Sequence, residues 1–182
     1  MQKNEKSETV FHKEIRPENP RLNGLLKFDS MAIGYKFAAD ILVKEIKEKS
    51  IPLTSFNLRD VESLVYPIAF LYRHYLELRL KEIIKEGRDL IGDDPTYKTT
   101  HNLIKLWENA KSVIEKVYPN DDPQVLIEAE LFLKTFNEVD SMSESFRYPT
   151  DKSGNTLLTE WENLSLQELA DEIEKVYQLV VG

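Results

Sequence analysis

Charged and histidine side chains recur at helical spacing between Tyr72 and Lys81. Arg73, Glu77 and Lys81 are four residues apart and share one helix face, while His74 lies about 100° around the helix. One interpretation is a solvated ladder of ion pairs, each contributing a few tenths of a kcal/mol. The other is that the stripe lies on a central helix and lines a cleft, since unpaired charge is costly to bury.

Histidine is scarce elsewhere in the predicted folded region, where only His101 joins His74. His101 precedes the next predicted helix, so it either faces solvent without a function or acts as a hydrogen-bonding group or general base. A di-iron helical bundle requires Glu-x-x-His on two helices, whereas this chain has one reversed pair, His74-x-x-Glu77. Two histidines are also few for a zinc site, so we expect no metal.

An Arg147-Tyr148 pair follows Phe146 in an otherwise polar segment. If this segment is extended, Phe146 and Tyr148 point to one side and Arg147 to the other. Arg147 then either pairs with a carboxylate, such as Glu77 or Glu144, or meets a phosphate or a negatively charged transition state.

The composition is that of a globular protein with one domain. Hydrophobic residues make up 41% and charged residues 31% of 182 residues, which is too apolar for disorder throughout. The absence of cysteine excludes disulfides and thiol nucleophiles, and we expect a cytoplasmic protein because no signal peptide or membrane span is recognisable. A net charge of −8 argues against indiscriminate polyanion binding but permits a local basic groove.

Hydrophobic spacing predicts an all-α bundle of about five helices around one long central helix. Residues 1–28 are expected to form a polar, partly disordered arm, and residues 29–182 the folded domain. The first helix should be capped by Asp29 or Ser30 and end near Lys49. Its inward face is expected to carry large apolar side chains: Ile33, Phe37, Ile41, Val43 and Ile46.

The long central helix is predicted from Leu58 to Glu86. Gly87 should end it as the residue after the C-cap, and Pro67 should kink or split it. Three more helices are predicted from start and stop signals: 101–117 capped by Thr99 or Thr100, 123–140 capped by Asp122, and 165–180 opened by a capping box at Ser165. Residues 141–163 should be irregular, with a turn at 152–155.

Several of these segments resemble motifs of the HEPN superfamily, a group of helical domains associated with RNA and nucleotides. Residues 72–81 are similar to its Glu-x-x-Leu-Lys helix, 100–103 to its His-x-Leu helix start, and 147–149 to its Arg-Tyr-Pro run, with an amphipathic helix following. The resemblance covers about residues 58–180. It implies a homodimer without a cofactor, in a prokaryotic defence or toxin–antitoxin setting. Active HEPN ribonucleases carry an arginine that is followed, after a spacer of four to six residues, by a histidine. At that spacing from Arg147 the chain has Lys152, Ser153 and Gly154, none of which is histidine.

Three functions are therefore expected as alternatives. The leading one is a HEPN-like dimer that binds RNA or a nucleotide in a cleft lined by six residues: Arg73, His74, Glu77, His101, Arg147 and Tyr148. The second is a metal-independent ribonuclease with a displaced histidine, for which His101 and Arg147 are the candidate catalytic residues. The third is a non-catalytic protein-interaction module in which these residues form a structural salt-bridge network.

Overall fold

Five α-helices form the secondary structure of the described residues, which are 28–48, 63–96, 100–120, 122–141, 143–157 and 165–181 of a computed structural model. In chain order they are α1 (Phe28–Lys47), α2 (Val65–Leu90), α3 (Leu103–Val117), α4 (Pro123–Val139) and α5 (Leu166–Val181). No strand occurs in this part of the chain, so the all-α prediction is confirmed. None of these helices combines the length and apolar character needed to cross a membrane. The expected arm, apart from Phe28, lies outside the described residues.

The longest helix, α2, occupies the centre of the bundle, as predicted. It packs against α1, α3 and α5, and it buries charged as well as apolar side chains. It begins at Val65, so Pro67 lies in its first turn, where a missing N–H breaks no helical hydrogen bond. Pro67 therefore does not kink the middle of the helix; the other predicted outcome, a split, concerns residues before 63, which lie outside the described part of the chain. The predicted start at Leu58 lies outside the described residues.

Gly87 lies inside α2, which continues to Leu90, so the prediction that Gly87 ends the helix is wrong. A Cβ atom at this position would overlap Cγ1 of Val113 on α3, a valine that is itself buried. Gly87 therefore allows α2 and α3 to approach each other closely.

The first helix turns a different face inward from the one predicted. Ile33, Phe37 and Ile41 are 44%, 64% and 42% exposed, whereas Ala32 and Ala39 are fully buried. Small side chains let the α1 backbone approach α2 closely, which large ones in the same positions would prevent. Of the five predicted inward residues, only Val43 and Ile46 contribute to the core.

Helix α1 begins at Phe28 and already contains Asp29 and Ser30, so the prediction that one of them caps it is wrong. The other three predicted helix starts follow the predicted capping chemistry in two cases. The Asp122 carboxylate accepts a hydrogen bond from the N–H of Gln124, and the Ser165 hydroxyl accepts one from the N–H of Glu168. Helix α3, however, is capped by Asn102 and not by Thr100, because the Asn102 side chain accepts from the N–H of Lys105. Thr99, the other predicted cap, lies outside the described residues.

Candidate functional site

Arg73 is completely buried and joins three parts of the fold. From α2, its Nη1 donates to Oε2 of Glu77 at 3.0 Å, one turn along the same helix. Its Nη2 donates to the main-chain oxygen of His101 at 2.6 Å, next to the start of α3. Its Nε donates to the main-chain oxygen of Asp140 at 3.0 Å, directly after α4. The solvated-ladder interpretation is therefore wrong for Arg73 and for Glu77, which is 1% exposed.

Asp140 is a member of the buried network that the sequence analysis missed. Its Oδ2 lies 3.2 Å from Nε of Arg73, but that N–H points at the main-chain oxygen, so Oδ2 interacts with Arg73 through charge alone. Its Oδ1 accepts hydrogen bonds from the N–H groups of Glu144 and Ser145 at 2.7 and 3.0 Å. Asp140 thus connects buried Arg73 to the turn that carries Arg147.

Glu77 holds the exposed imidazole of His101. Its Oε1 lies 2.9 Å from Nδ1 of His101 and 2.7 Å from Nζ of Lys81. Burial by itself would raise the pKa of Glu77, but the hydrogen bonds and charges of Lys81 and His101 outweigh it and lower the pKa below its ordinary value. The carboxylate orients a ring that is 64% exposed, so Nε2 of His101 is the nitrogen available to a ligand.

His74 lies between two aromatic rings that the sequence analysis did not connect with it. The Phe70 ring stacks on it with centroids 5.7 Å apart, and the Tyr35 ring of α1 meets it edge-on at 4.4 Å. Burial lowers the pKa of His74, and the nearby charges of Lys81 and Arg73 act in the same direction. His74 is therefore held as a neutral ring near neutral pH.

Arg147 lies in a turn, so the extended conformation considered for this segment does not apply. The N–H groups of Arg147 and Tyr148 both donate to the main-chain oxygen of Glu144, and Nε of Arg147 donates to that of Ser143, which has a positive φ of 62°. Phe146 is consequently buried while Tyr148 is 54% exposed, so these two rings do not share a side.

The Arg147 guanidinium is exposed and faces aromatic rings. Its Cζ lies 5.3 Å from the centroid of Tyr148 and 5.8 Å from that of Phe70. Within the part of the chain that the structure describes, no carboxylate lies within ion-pair distance of it, so the expected partners Glu77 and Glu144 do not pair with it. The guanidinium retains its capacity for an anionic ligand.

The predicted site residues thus fall into a buried group and an exposed group. Arg73 and Glu77 belong to the buried network, and Arg73 has no surface that a ligand can reach. His101, Arg147 and Tyr148 are exposed, and the half-buried Phe70 ring lies against both the Arg147 guanidinium and the half-buried His74 ring. A signal for Phe70 existed in the sequence, since it lies four residues before His74 on the same helix face.

The described residues contain no group of three histidine, aspartate or glutamate side chains placed to hold a metal ion.

Comparisons of the chain with protein-family models, curated proteins and solved structures find no match.

Proposed function

We propose that this chain is a HEPN-like domain that binds RNA or a nucleotide through the exposed groups Arg147, Tyr148 and His101, together with the half-buried ring of His74. The buried network of Arg73, described above, positions these groups without contacting the ligand. The domain acts as a homodimer without a cofactor, and phage defence or a toxin–antitoxin system is the setting that the sequence resemblance favours.

The observation that carries the proposal is the uncompensated charge of Arg147. In the adjoining network, the cations Arg73 and Lys81 oppose the carboxylates Glu77 and Asp140, so the network is close to neutral. Arg147 adds a positive charge to this face, and its planar guanidinium suits a phosphate. On a chain with a net charge of −8, a local cation of this kind directs an anionic ligand to one place.

Binding of a labelled single-stranded RNA, measured by fluorescence anisotropy at several salt concentrations, tests the proposal. We expect Arg147→Ala to weaken binding about tenfold, since it removes a charge-assisted contact to phosphate. The slope of log affinity against log salt should fall by about one. Lys134→Ala is the matched control, because Lys134 is an exposed cation on α4 that pairs with Glu130. An RNA affinity that is absent in the wild type, or equal in both variants, contradicts the proposal.

A second candidate function, metal-independent RNA cleavage, is favoured by the contact between His101 and Glu77. A buried carboxylate on Nδ1 fixes the tautomer and leaves Nε2 to accept a proton, which is the arrangement of a general base. RNA cleavage that continues in a chelator and is lost in His101→Ala supports this function. RNA that stays intact with the wild-type protein excludes it and leaves binding as the role of the site.

A further inference from the structure

A cavity of about 430 Å³ opens beside Arg147. It lies between the first turn of α2, which contributes Tyr66, and the irregular segment after α4, which contributes residues 145–149 and Thr156. Its volume is within the range of small-ligand sites. Arg73 and Asp140 do not line the cavity, and the N–H of Ser145, which donates to Asp140, joins its wall to the buried network of Arg73.

Two exposed aromatic rings line this cavity from separate elements. Tyr66 is 47% exposed and Tyr148 is 54% exposed, while Phe146, which also lines the cavity, is buried. Large rings left open to solvent around a concave surface are typical of sites that stack a planar ligand. The guanidinium of Arg147, 5.3 Å from the Tyr148 centroid, extends the same stacking surface and adds a positive charge.

The segment that forms this wall is held in place by hydrogen bonds. Asp140 accepts from the N–H groups of Glu144 and Ser145 at its beginning. Farther along, the Asp151 carboxylate accepts from the N–H groups of Ser153 and Asn155, and a bridge joins Thr150 to Thr156. A wall fixed in this way needs little ordering when a ligand binds, which favours affinity.

We infer that this cavity takes one unstacked nucleobase, with the adjoining phosphate on Arg147, and this assignment rests on the RNA binding proposed above. The ligand class is consequently single-stranded RNA, because a base within a duplex stays stacked and paired and does not enter such a cavity. The hydroxyl groups of Ser145 and Thr156 in the lining both donate and accept hydrogen bonds, as an exposed base edge requires.

The experiment compares three probes on the full chain by fluorescence anisotropy: a short adenine homopolymer RNA, an abasic ribose-phosphate oligomer of the same length, and an RNA duplex. We expect the homopolymer to bind about tenfold more tightly than either of the others, since each stacked base strengthens binding. The double substitution Tyr66→Leu with Tyr148→Leu should remove this preference and leave the weaker, salt-dependent binding that Arg147 supplies. Tyr148→Trp should retain the preference.

Tyr118→Leu is the matched control, because Tyr118 is 59% exposed but lies after α3 and does not line the cavity. Equal binding of the homopolymer and the abasic oligomer, or a preference that survives the double substitution, overturns the nucleobase assignment while the proposed RNA binding stands. A lack of binding to all three probes overturns both. Circular dichroism of the double variant identifies any loss of helix; in that case Tyr148→Leu alone, at an exposed position, decides the assignment, since the preference should fall in it and a full preference overturns the assignment.

Discussion

Two arginines of this protein have opposite surroundings and, we expect, opposite roles. Arg73 is buried and donates to groups on three segments, whereas Arg147 is exposed and contacts the faces of aromatic rings. A buried cation with complete partners stabilises the arrangement of those segments, while an exposed one contributes little to stability. The difference can be measured separately from any ligand.

Arg73→Ala should lower the free energy of unfolding by about 3–5 kcal/mol, because it leaves the carboxylates of Glu77 and Asp140 buried beside a cavity. Urea denaturation followed by circular dichroism measures this change. Arg147→Ala is the control and should cost less than about 1 kcal/mol. Equal losses in the two variants would favour the interaction-module alternative, in which Arg147 is structural.

The pH dependence of stability should contain a contribution from His74. Its pKa is lowered from the ordinary value of 6.5 in the folded protein, so between the folded and unfolded pKa values the unfolded chain binds more protons. The contribution of His74 to stability therefore rises with pH through that window. It is fully present above the unfolded pKa and is lost as the pH falls towards the folded pKa. Glu77 opposes this shift, while burial, Lys81, Arg73 and His101 produce it.

His74→Phe should flatten the stability profile below the ordinary histidine pKa of 6.5, since phenylalanine retains the ring packing but does not titrate. Urea denaturation at a series of pH values measures the two profiles. The other histidines are present in both proteins, so the difference between the profiles isolates His74. Profiles that run parallel contradict the prediction.

At the scale of elements, the contact between α2 and α3 depends on Gly87. Gly87→Ala should lower the free energy of unfolding by about 1 kcal/mol, because overlap with the stiff Val113 side chain outweighs the better helix propensity of alanine. Thermal or urea denaturation measures the change. Gly34→Ala on α1 is the matched control, since no atom lies within 4 Å of the added Cβ, and it should stabilise the protein. A gain in both variants would contradict the proposed close approach.

Helix starts were easier to predict than helix faces. A cap such as Asp122 followed by Pro123 acts on its own neighbours, so local sequence determines it. The inward face of α1 depends instead on how closely α1 packs against α2, and a hydrophobicity pattern alone cannot distinguish the alanine face from the isoleucine and phenylalanine face. Gly87 was misinterpreted for the same reason, because its constraint is Val113 on another helix.

At the scale of the whole molecule, the site combines groups that are far apart in the sequence. Arg73 and Glu77 were predicted to lie together because they share a helix, but the Asp140 contact lies 67 residues away and the His101 main-chain contact 28 residues away. Main-chain acceptors leave no pattern of residue types in a sequence. From the sequence alone, burial of the charged stripe on α2 could therefore be given only as one of two alternatives.

The proposed homodimer has a candidate interface in the exposed face of α1. Ile33, Phe37 and Ile41 are spaced four residues apart, which places them on one side of the helix, and all three are exposed. We expect size-exclusion chromatography with light scattering to give the mass of a dimer for the wild type and of a monomer for Phe37→Glu, which places charge in a self-complementary contact. The control is Leu131→Glu, an equally exposed apolar position on α4. A wild-type monomer, or a dimer in both variants, contradicts this interface.

The lysine that links α1 to α5 has a consequence for how the chain acquires its fold during synthesis. Lys36 bonds Asp40 within its own helix at 2.8 Å and Glu174 on α5 at 2.7 Å, across 138 residues. The bond to Asp40 can form as soon as α1 leaves the ribosome, whereas the bond to Glu174 can form only after α5 has been synthesised. The bond to Glu174 also closes a much longer loop of chain, which costs more conformational entropy than the bond within α1. Until α5 has been synthesised, the α1 and α2 surfaces that it covers in the folded protein are exposed to solvent.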